Sequence, residues 1–203
     1  SHSIIFGTDT LQTFVDNTFL AKYDALGNEL WAKGPSSGSG WNGMINADAM
    51  SNVYVTGYYE SSSSITFGVT TLPSSINAYN DLYVVKYDSL GSVIWAKSAG
   101  GSGNDGSTGS AIDADGNFYI TGLFYSPFIT FGAFTLNRTG SSWGDIFVAK
   151  YNATGNVVWA KKAGSNAGDF VNGISVDSYN NTYITGYYRN SLNMSFGQIT
   201  LTN

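Results

Sequence analysis

The chain repeats the same sequence pattern three times, and this period constrains its fold more than any other feature. The first phrase reads FLAKYDALGNELWAK, YVVKYDSLGSVIWAK and FVAKYNATGNVVWAK at Phe19–Lys33, Tyr83–Lys97 and Phe147–Lys161, with successive copies beginning 64 residues apart. A second phrase, first written NVYVTGYY, follows at Asn52–Tyr59, Asn117–Phe124 and Asn181–Tyr188. Self-similarity at a fixed period is typical of repeat proteins, in which each unit buries its apolar face against its neighbours.

A third phrase completes the unit and sets the domain organisation. It reads ITFG followed by a short apolar segment at Ile65–Leu72 and Ile129–Leu136, and it recurs at Met194–Leu201 and, as an extra copy, at Ile4–Leu11. Three similar units cannot each form an independent core, so the repeats predict a single array over residues 1–203, with units at 4–72, 73–136 and 137–203.

Composition and charge exclude several partners and chemistries. A content of 42% hydrophobic and 15% aromatic residues argues against disorder, and the net charge of −5 argues against nucleic acid as a partner. The absence of cysteine excludes disulfides and thiolate metal sites. No apolar run has transmembrane or signal-peptide character, so we expect no membrane insertion and any export signal outside these residues.

Each unit contains short segments rich in β-branched and aromatic residues, separated by Gly, Asn, Asp and Ser, as expected for strands and turns. In the second unit the predicted strands are Gly109–Asp113, Phe118–Phe124, Ile146–Tyr151 and Val157–Lys161. The connections at 114–117 and 152–156 have the composition of hairpin turns. Four antiparallel strands per repeated unit predict an all-β fold of β-propeller blades.

The succession GISVDSYNNTYITGYY, DIFVAKY and GNVVWAKKAG resembles the bacterial seven-bladed beta-propeller (SBBP) repeat, and the resemblance covers nearly the whole chain three times. It implies a large exported bacterial protein, and therefore an extracellular or cell-surface location. The ITFG phrase departs from that pattern and lengthens each unit, which predicts an extra strand or a small hairpin between the second and third strands.

The phase of the chain predicts a half-blade at each end. Residues 18–33 contain only the third and fourth strands of a unit, and residues 173–188 only the first and second. Closed propellers have about four to eight blades, so three units form either part of a longer array or half of a six-bladed ring of two copies. Because open sheet edges tend to pair, we expect the half-blades to pair with each other, with further repeats or with another copy.

Candidate ligand-binding residues lie in the predicted loops of one blade face, where the segments between units and between second and third strands are long and divergent. The predicted loops are Gly34–Gly43, Pro73–Asn80, Ser98–Gly109, Asn137–Gly144 and Lys162–Gly173. Within them the candidates are Trp41, Asn42, Tyr79, Trp143, Asp105 and Asp169. Aromatic faces beside amides and carboxylates suit a sugar, which stacks its C–H face and pairs its hydroxyls. The alternatives are aromatics that plug blade ends and carboxylates that accept loop amides.

Other recurring residues are interpreted as structural. The aromatics at fixed repeat positions are predicted to form the core between blades, and they are Trp31, Trp95, Trp159, Tyr23, Tyr87 and Tyr151. Asp113–Asn117 reads as a turn, because its spacing does not supply the six to eight oxygen ligands that calcium needs. The only histidine is His2, which removes Ser-His-Asp and histidine–metal chemistry, so we predict no catalytic residue, no metal and no cofactor.

These patterns predict a non-enzymatic secreted or cell-surface propeller segment for binding or adhesion, with a glycan or a surface protein as partner. Two alternatives stay open: the scaffold part of a larger secreted hydrolase, and a small oligomeric propeller lectin. Fold alone does not decide between them.

Overall fold

The structure is a computed structural model that describes residues 2–13, 16–60, 63–73, 79–140, 143–189 and 191–202, with His2, Thr13 and Asn42 described in their backbone only. The described residues form β-strands joined by turns, without a helix. The first ten strands are β1 His2–Phe6, β2 Asp9–Thr13, β3 Leu20–Tyr23, β4 Glu29–Lys33, β5 Gly40–Ala47, β6 Val53–Glu60, β7 Ile65–Phe67, β8 Thr70–Leu72, β9 Asn80–Tyr87 and β10 Val93–Ala99. The others are β11 Asp105–Ile112, β12 Phe118–Phe124, β13 Phe128–Phe131, β14 Phe134–Asn137, β15 Asp145–Tyr151, β16 Val157–Gly164, β17 Gly168–Val176, β18 Thr182–Arg189, β19 Asn193–Phe196 and β20 Ile199–Thr202.

The strands form two complete four-stranded antiparallel blades and two half-blades. Blade 1 has the order β5-β6-β9-β10 and blade 2 the order β11-β12-β15-β16. Strands β3 and β4 pair as the N-terminal half-blade, and β17 and β18 pair as the C-terminal half-blade. The predicted all-β fold of four-stranded antiparallel units is confirmed.

The turn between the first and second strands of a blade is held by one aspartate. In blade 2 the Asp113 carboxylate accepts hydrogen bonds from the Asn117 backbone N–H and side-chain amide, each at 2.8 Å. Asp48 with Asn52 and Asp177 with Asn181 repeat this arrangement. The Asp113–Asn117 segment is thus a hydrogen-bonded turn, in which both oxygens of the Asp113 carboxylate accept hydrogen bonds.

The ITFG phrase forms a two-stranded hairpin in every copy. These hairpins are β1–β2, β7–β8, β13–β14 and β19–β20. The glycine of each phrase turns the chain with φ between 52° and 60°, a region that side chains with a Cβ rarely adopt. Two of these hairpins contact the fourth-strand end of the preceding blade: Gly100, directly after β10 of blade 1, forms a bridge to Thr130, and β16 of blade 2 pairs with β19.

The first strands of successive units, β5, β11 and β17, lie side by side and form the inner edge of the array. They are longer than predicted: β5 begins at Gly40, β11 at Asp105 and β17 at Gly168, all within segments that we predicted as loops. The Gly- and Ser-rich composition of β11 has low strand propensity, but close approach between units requires small residues there. A Cβ on Gly109 would lie 3.2 Å from the Ile174 side chain of the next unit.

The recurring fourth-strand tryptophans join each unit to the next, as predicted for a packing core. Trp95 is buried, and its indole N–H donates to the Ala153 carbonyl of the next unit at 3.1 Å. Lys86 donates to the same carbonyl at 3.3 Å. Trp31 and Lys22 share the Ser89 carbonyl in the same way, at 3.1 and 3.0 Å. Trp159, the third member, is only partly buried.

One member of the predicted tyrosine core is not buried. Tyr87 and Tyr151 are almost completely covered in blades 1 and 2, but Tyr23 is half exposed. Tyr23 lies on β3, which pairs only with β4 among the described residues, so no second strand covers it. The prediction that all three rings are core is therefore wrong for Tyr23.

Candidate ligand-binding site on the loop face

The face that carries the hairpins and the connections between units, here called the loop face, has an aromatic pair in two of its three first-to-second strand pairs. Trp41 stacks on Tyr58 with ring centroids 5.4 Å apart. Phe170 stacks on Tyr187 at 4.6 Å. The same register position in blade 2 pairs Gly106 with Leu123, so the aromatic pair is missing there.

A recess of about 310 Å³ occupies this position between blades 1 and 2. A Cβ placed on Gly106 would meet no atom within 4 Å, so the space beside Gly106 in the recess is empty. The recess is lined by Tyr58, Asn80, Asn104, Asp105, Gly106, Ser107, Thr108, Leu123 and Tyr125. It thus combines two tyrosine rings, two amides and two hydroxyls in one concave surface.

The amides of the recess lie at the junction of the two blades. Asn80, at the start of β9, forms a parallel bridge with Asn104, and its side-chain amide donates to the Asn104 side-chain oxygen at 3.2 Å. The Asn104 carbonyl accepts the Tyr125 backbone N–H at 3.0 Å. These bonds fix the Tyr125 backbone relative to Asn104, while 38% of the residue remains exposed.

Asp105 lies below the recess and holds the segment after β12. Only 2% of the residue is exposed. One carboxylate oxygen accepts the backbone N–H groups of Tyr125 and Ser126 at 3.0 and 3.2 Å, and the other accepts the Ser126 hydroxyl at 2.6 Å. Burial raises the pKa of Asp105 from 3.8 to about 6, although these hydrogen bonds act in the opposite direction.

The raised pKa of Asp105 predicts a pH dependence of stability. Between pH 4 and 6 the folded state binds more protons at Asp105 than the unfolded state, so this group lowers the free energy of unfolding as pH rises. Asp105→Asn should remove this contribution, on the order of 1–3 kcal/mol, because an amide keeps an acceptor for both N–H groups and donates to Ser126. Chemical unfolding of the parent and Asp105→Asn proteins at pH 4 and pH 7 measures this contribution. If the two proteins differ in free energy of unfolding by the same amount at both pH values, the raised pKa of Asp105 is contradicted.

Asp169 occupies the corresponding register position in the C-terminal half-blade but holds the connection before β17 instead. It is buried and accepts the Ser165 backbone N–H at 2.6 Å and the Ser165 hydroxyl at 2.9 Å. Burial raises the pKa of Asp169 as well. Both carboxylates that we predicted as ligand-binding candidates therefore bond to loop groups of their own units.

The other candidates are not brought together. Trp41 lies against Tyr58 at the edge of the recess, and Tyr79 is 71% exposed next to Asn80. Trp143 is 41% exposed and lies at the following junction, where the Arg189 guanidinium is 5.6 Å from its ring centre and 5.1 Å from that of Phe170. The Asn42 side chain lies outside the described residues. Among the described residues no three acidic or histidine side chains form a cluster for a metal ion.

Sequence reasoning missed most of the recess residues, including Tyr58, Tyr125, Asn80 and Gly106. The available signal was a break in the repeat: Gly106 and Leu123 replace aromatic residues that the units on both sides carry. Patterns that recur identify the core, whereas a position that fails to recur identifies a cavity.

Comparison with known proteins agrees with a repeat architecture. Residues 158–187, which run from β16 into β18, match the model of the SBBP beta-propeller repeat. This match covers one repeat and does not confirm our prediction of three. None of the described residues forms a helix that is long and apolar enough to span a membrane.

Two relatives match larger parts of the chain. An uncharacterized WD repeat-containing protein, L264 of Acanthamoeba polyphaga mimivirus, is 29% identical over 156 residues, which are 71% of this chain and 11% of that protein. The regulatory protein FlaEY of Caulobacter vibrioides is 27% identical over 123 residues, which are 60% of this chain and 13% of that protein. The chain thus spans a small part of each relative. Taken with the antiparallel blades, these similarities support a repeat domain of the interaction type that contains a beta-propeller repeat at residues 158–187.

Proposed function

We propose that this chain is a non-enzymatic binding module of a secreted or cell-surface protein, and that it binds carbohydrate in the recess between blades 1 and 2. The observation that carries the proposal is the missing aromatic pair at Gly106 and Leu123, which opens a concave site between the half-buried Tyr58 and the exposed Tyr125. Binding residues are commonly carried by variable segments that a rigid scaffold positions, and this recess lies on the loop face.

The chemistry of the recess suits a sugar ring. The tyrosine rings provide flat apolar faces for the C–H groups of a pyranose, and the asparagine amides donate and accept hydrogen bonds from its hydroxyls. Ser107 and Thr108 also line the recess on the side of β11; their hydroxyls donate to Thr56 and to the Val171 carbonyl, and their oxygens can still accept a hydrogen bond. Because the described lining contains few charges, the recess favours a neutral ligand over a phosphate or a nucleotide.

The lining also favours binding over hydrolysis. A glycosidase needs two carboxyl groups on opposite sides of the scissile bond. Asp105 is the only carboxylate in the described lining, and both of its oxygens accept hydrogen bonds from Tyr125 and Ser126. The names of the two relatives, a WD repeat-containing protein and a regulatory protein, point the same way.

The proposal predicts specific effects on glycan binding. An array of neutral glycans should give weak hits, and Tyr125→Ala should weaken binding of the best hit by roughly tenfold, about 1.4 kcal/mol, which is the scale of one aromatic stacking contact. Gly106→Phe should abolish binding, because it restores the aromatic residue of the neighbouring units and fills the recess. Isothermal titration calorimetry with each purified variant measures both effects.

Two exposed aromatics provide the matched controls. Tyr79→Ala and Trp143→Ala remove rings on the same face that do not line the recess, and both should bind like the parent protein. Loss of binding in these variants, with Tyr125→Ala unaffected, would move the site to the loop aromatics. If the parent protein binds no glycan, adhesion to a protein surface or a scaffold role in a larger hydrolase replaces the carbohydrate proposal.

A further inference from the structure

The third strand of each complete blade inserts an aromatic ring beside a glycine of the second strand. Tyr83 pairs with Gly57 in blade 1, and Phe147 pairs with Gly122 in blade 2. Both rings are fully buried. Each also packs on the phenylalanine of the ITFG hairpin, with ring centroids 4.9 and 5.0 Å apart. At this position, here called the joint, the ring packs the second strand, the third strand and the hairpin together.

The C-terminal half-blade has the same joint without its ring. A cavity of about 110 Å³ lies between β18 and the β19–β20 hairpin. Its lining includes the residues at the repeat positions that surround Tyr83, which are Gly186, Met194, Phe196 and Leu201. Strand β18 pairs only with β17 among the described residues, so the edge facing this cavity carries no third strand.

The N-terminal half-blade carries the corresponding aromatic residue. Phe19 occupies the repeat position of Tyr83 and Phe147, directly before β3. It packs on Phe6 with centroids 5.0 Å apart, yet it remains 47% exposed, since none of the described strands lies beside it as a second strand. One end of the chain thus has an aromatic ring without a glycine-lined joint, and the other end has the joint without a ring.

We propose that the N-terminal half-blade of a second copy of this chain completes the C-terminal half-blade of the first, and reciprocally. Strand β3 of one copy would pair with β18 of the other and place Phe19 in the cavity at Gly186. The described residues of each copy form two complete blades and two half-blades, so two copies paired in this way supply six blades. The same residues of one copy, paired with each other, would supply three, below the number of blades in known propellers.

Charge complementarity supports this pairing. In blade 2, Lys150 on the third strand lies 3.5 Å from Asp113 and over the Tyr119 ring at 4.8 Å. Lys86 has the same relation to Asp48 and Tyr54 in blade 1. The third set is divided between the ends of the chain: Asp177 and Tyr183 lie on the C-terminal half-blade, and Lys22 lies on β3. Pairing between copies unites this set.

The N-terminal end also has a groove for the incoming first and second strands. It has a volume of about 500 Å³ and lies beside β5 and β6. Its apolar lining includes Met44 and Ile45, which are exposed. In the complete interface between blades 1 and 2 the neighbouring first strand, β11, lies along β5. Strand β17 of a second copy would cover β5 from the opposite side in the same manner.

The blade that two copies complete together, here called the composite blade, has room for only one of the hairpins β1–β2 and β19–β20. Phe6 of β1–β2 packs on Phe19 where Phe196 of the other copy's β19–β20 hairpin would pack. The β19–β20 hairpin is held by backbone pairing of β19 with β16 and by the buried Met194. We therefore place β19–β20 in the composite blade, and β1–β2 moves away from β4.

Cross-linking between copies tests the pairing and its register. The chain contains no cysteine, so introduced thiols are the only ones present. By the register of the complete blades, where Ala149 lies opposite Ile120, Ala21 of one copy should lie opposite Ile184 of the other. A mixture of the Ala21→Cys and Ile184→Cys proteins should form a disulfide-linked dimer under mild oxidation. The matched mixture of Ala21→Cys with Thr185→Cys should not, because adjacent strand residues point to opposite faces.

Light scattering of the parent protein and two further variants completes the test. The parent protein should be a dimer in the tens of micromolar range, and Phe19→Ala should weaken dimer formation at least tenfold. Phe6→Ala, which removes the competing ring, should leave the dimer unchanged or tighter. A monomeric parent protein, equal cross-linking in both cysteine mixtures, or a Phe19→Ala protein that dimerises normally would each overturn the proposal. None of these readouts depends on carbohydrate binding.

Discussion

Trp95→Ala is expected to lower the free energy of unfolding by roughly 3–5 kcal/mol, the cost of truncating a large buried aromatic side chain. The indole is packed between two units: it stacks on Tyr151 and meets the edge of Tyr54. It also lies directly over Gly155, where a Cβ would come within 2.8 Å of the indole ring. Its loss therefore leaves a cavity and removes one of the two donors of the Ala153 carbonyl, which keeps its hydrogen bond from Lys86.

Two further variants separate packing from hydrogen bonding. Trp95→Phe retains an aromatic ring but removes the N–H donor, and should cost less, about 1–2 kcal/mol. Trp143→Ala removes an exposed tryptophan and should change stability by about 0.5 kcal/mol at most. Urea unfolding followed by circular dichroism gives all three values. Equal losses for Trp95→Ala and Trp143→Ala would mean that Trp143 is a plug between blades, contrary to its exposure.

Gly122→Ala is expected to destabilise the protein by roughly 3 kcal/mol or more, because the added methyl group has no space. A Cβ on Gly122 would lie 2.0 Å from the Gly106 carbonyl oxygen and 2.7 Å from the Ser107 Cα. Both are backbone atoms and cannot move aside as a flexible side chain can. The first strand changes register between Ser107 and Gly109, and this irregularity lies beside the second-strand glycine.

The partner residue in the same strand pair is the control for this substitution. Gly106→Ala adds a methyl group where no atom lies within 4 Å, so its stability should stay within about 0.5 kcal/mol of the parent protein. Thermal unfolding of both variants measures the contrast. A Gly122→Ala protein that melts like the parent would show that the first strand relaxes freely, and the close approach of the two strands would then have no energetic importance.

The second, third and fourth strands of each blade could be predicted from sequence because their stability comes from local patterns. Phe118–Phe124 was predicted with the bounds that the structure has, since β-branched and aromatic residues alternate between two packed faces. The start of β11 at Asp105 could not be predicted from sequence, since the Gly and Ser residues of this strand have low strand propensity. Contact with β5 and β17 decides its conformation, and such contact is not encoded in the segment itself.

The candidate site was only partly predictable for a related reason. Trp41, Tyr79 and Trp143 were selected because they are large residues in polar segments, and the structure places them at separate points of the loop face. The recess depends on Gly106, a residue selected by neither size nor charge. It also depends on Tyr58 and Tyr125, which belong to different blades and meet only through the packing of one unit on the next.

The shared carbonyls at Ser89 and Ala153 have a consequence for how such a chain could evolve. At each of the two junctions, a lysine and a tryptophan of one unit donate hydrogen bonds to a turn carbonyl of the next unit. The donors and the acceptor therefore occupy the same repeat positions at both junctions. Duplication of one 64-residue segment would insert a blade whose two new junctions use contacts that already exist. Unit number can therefore change in a single genetic event without redesign of any interface.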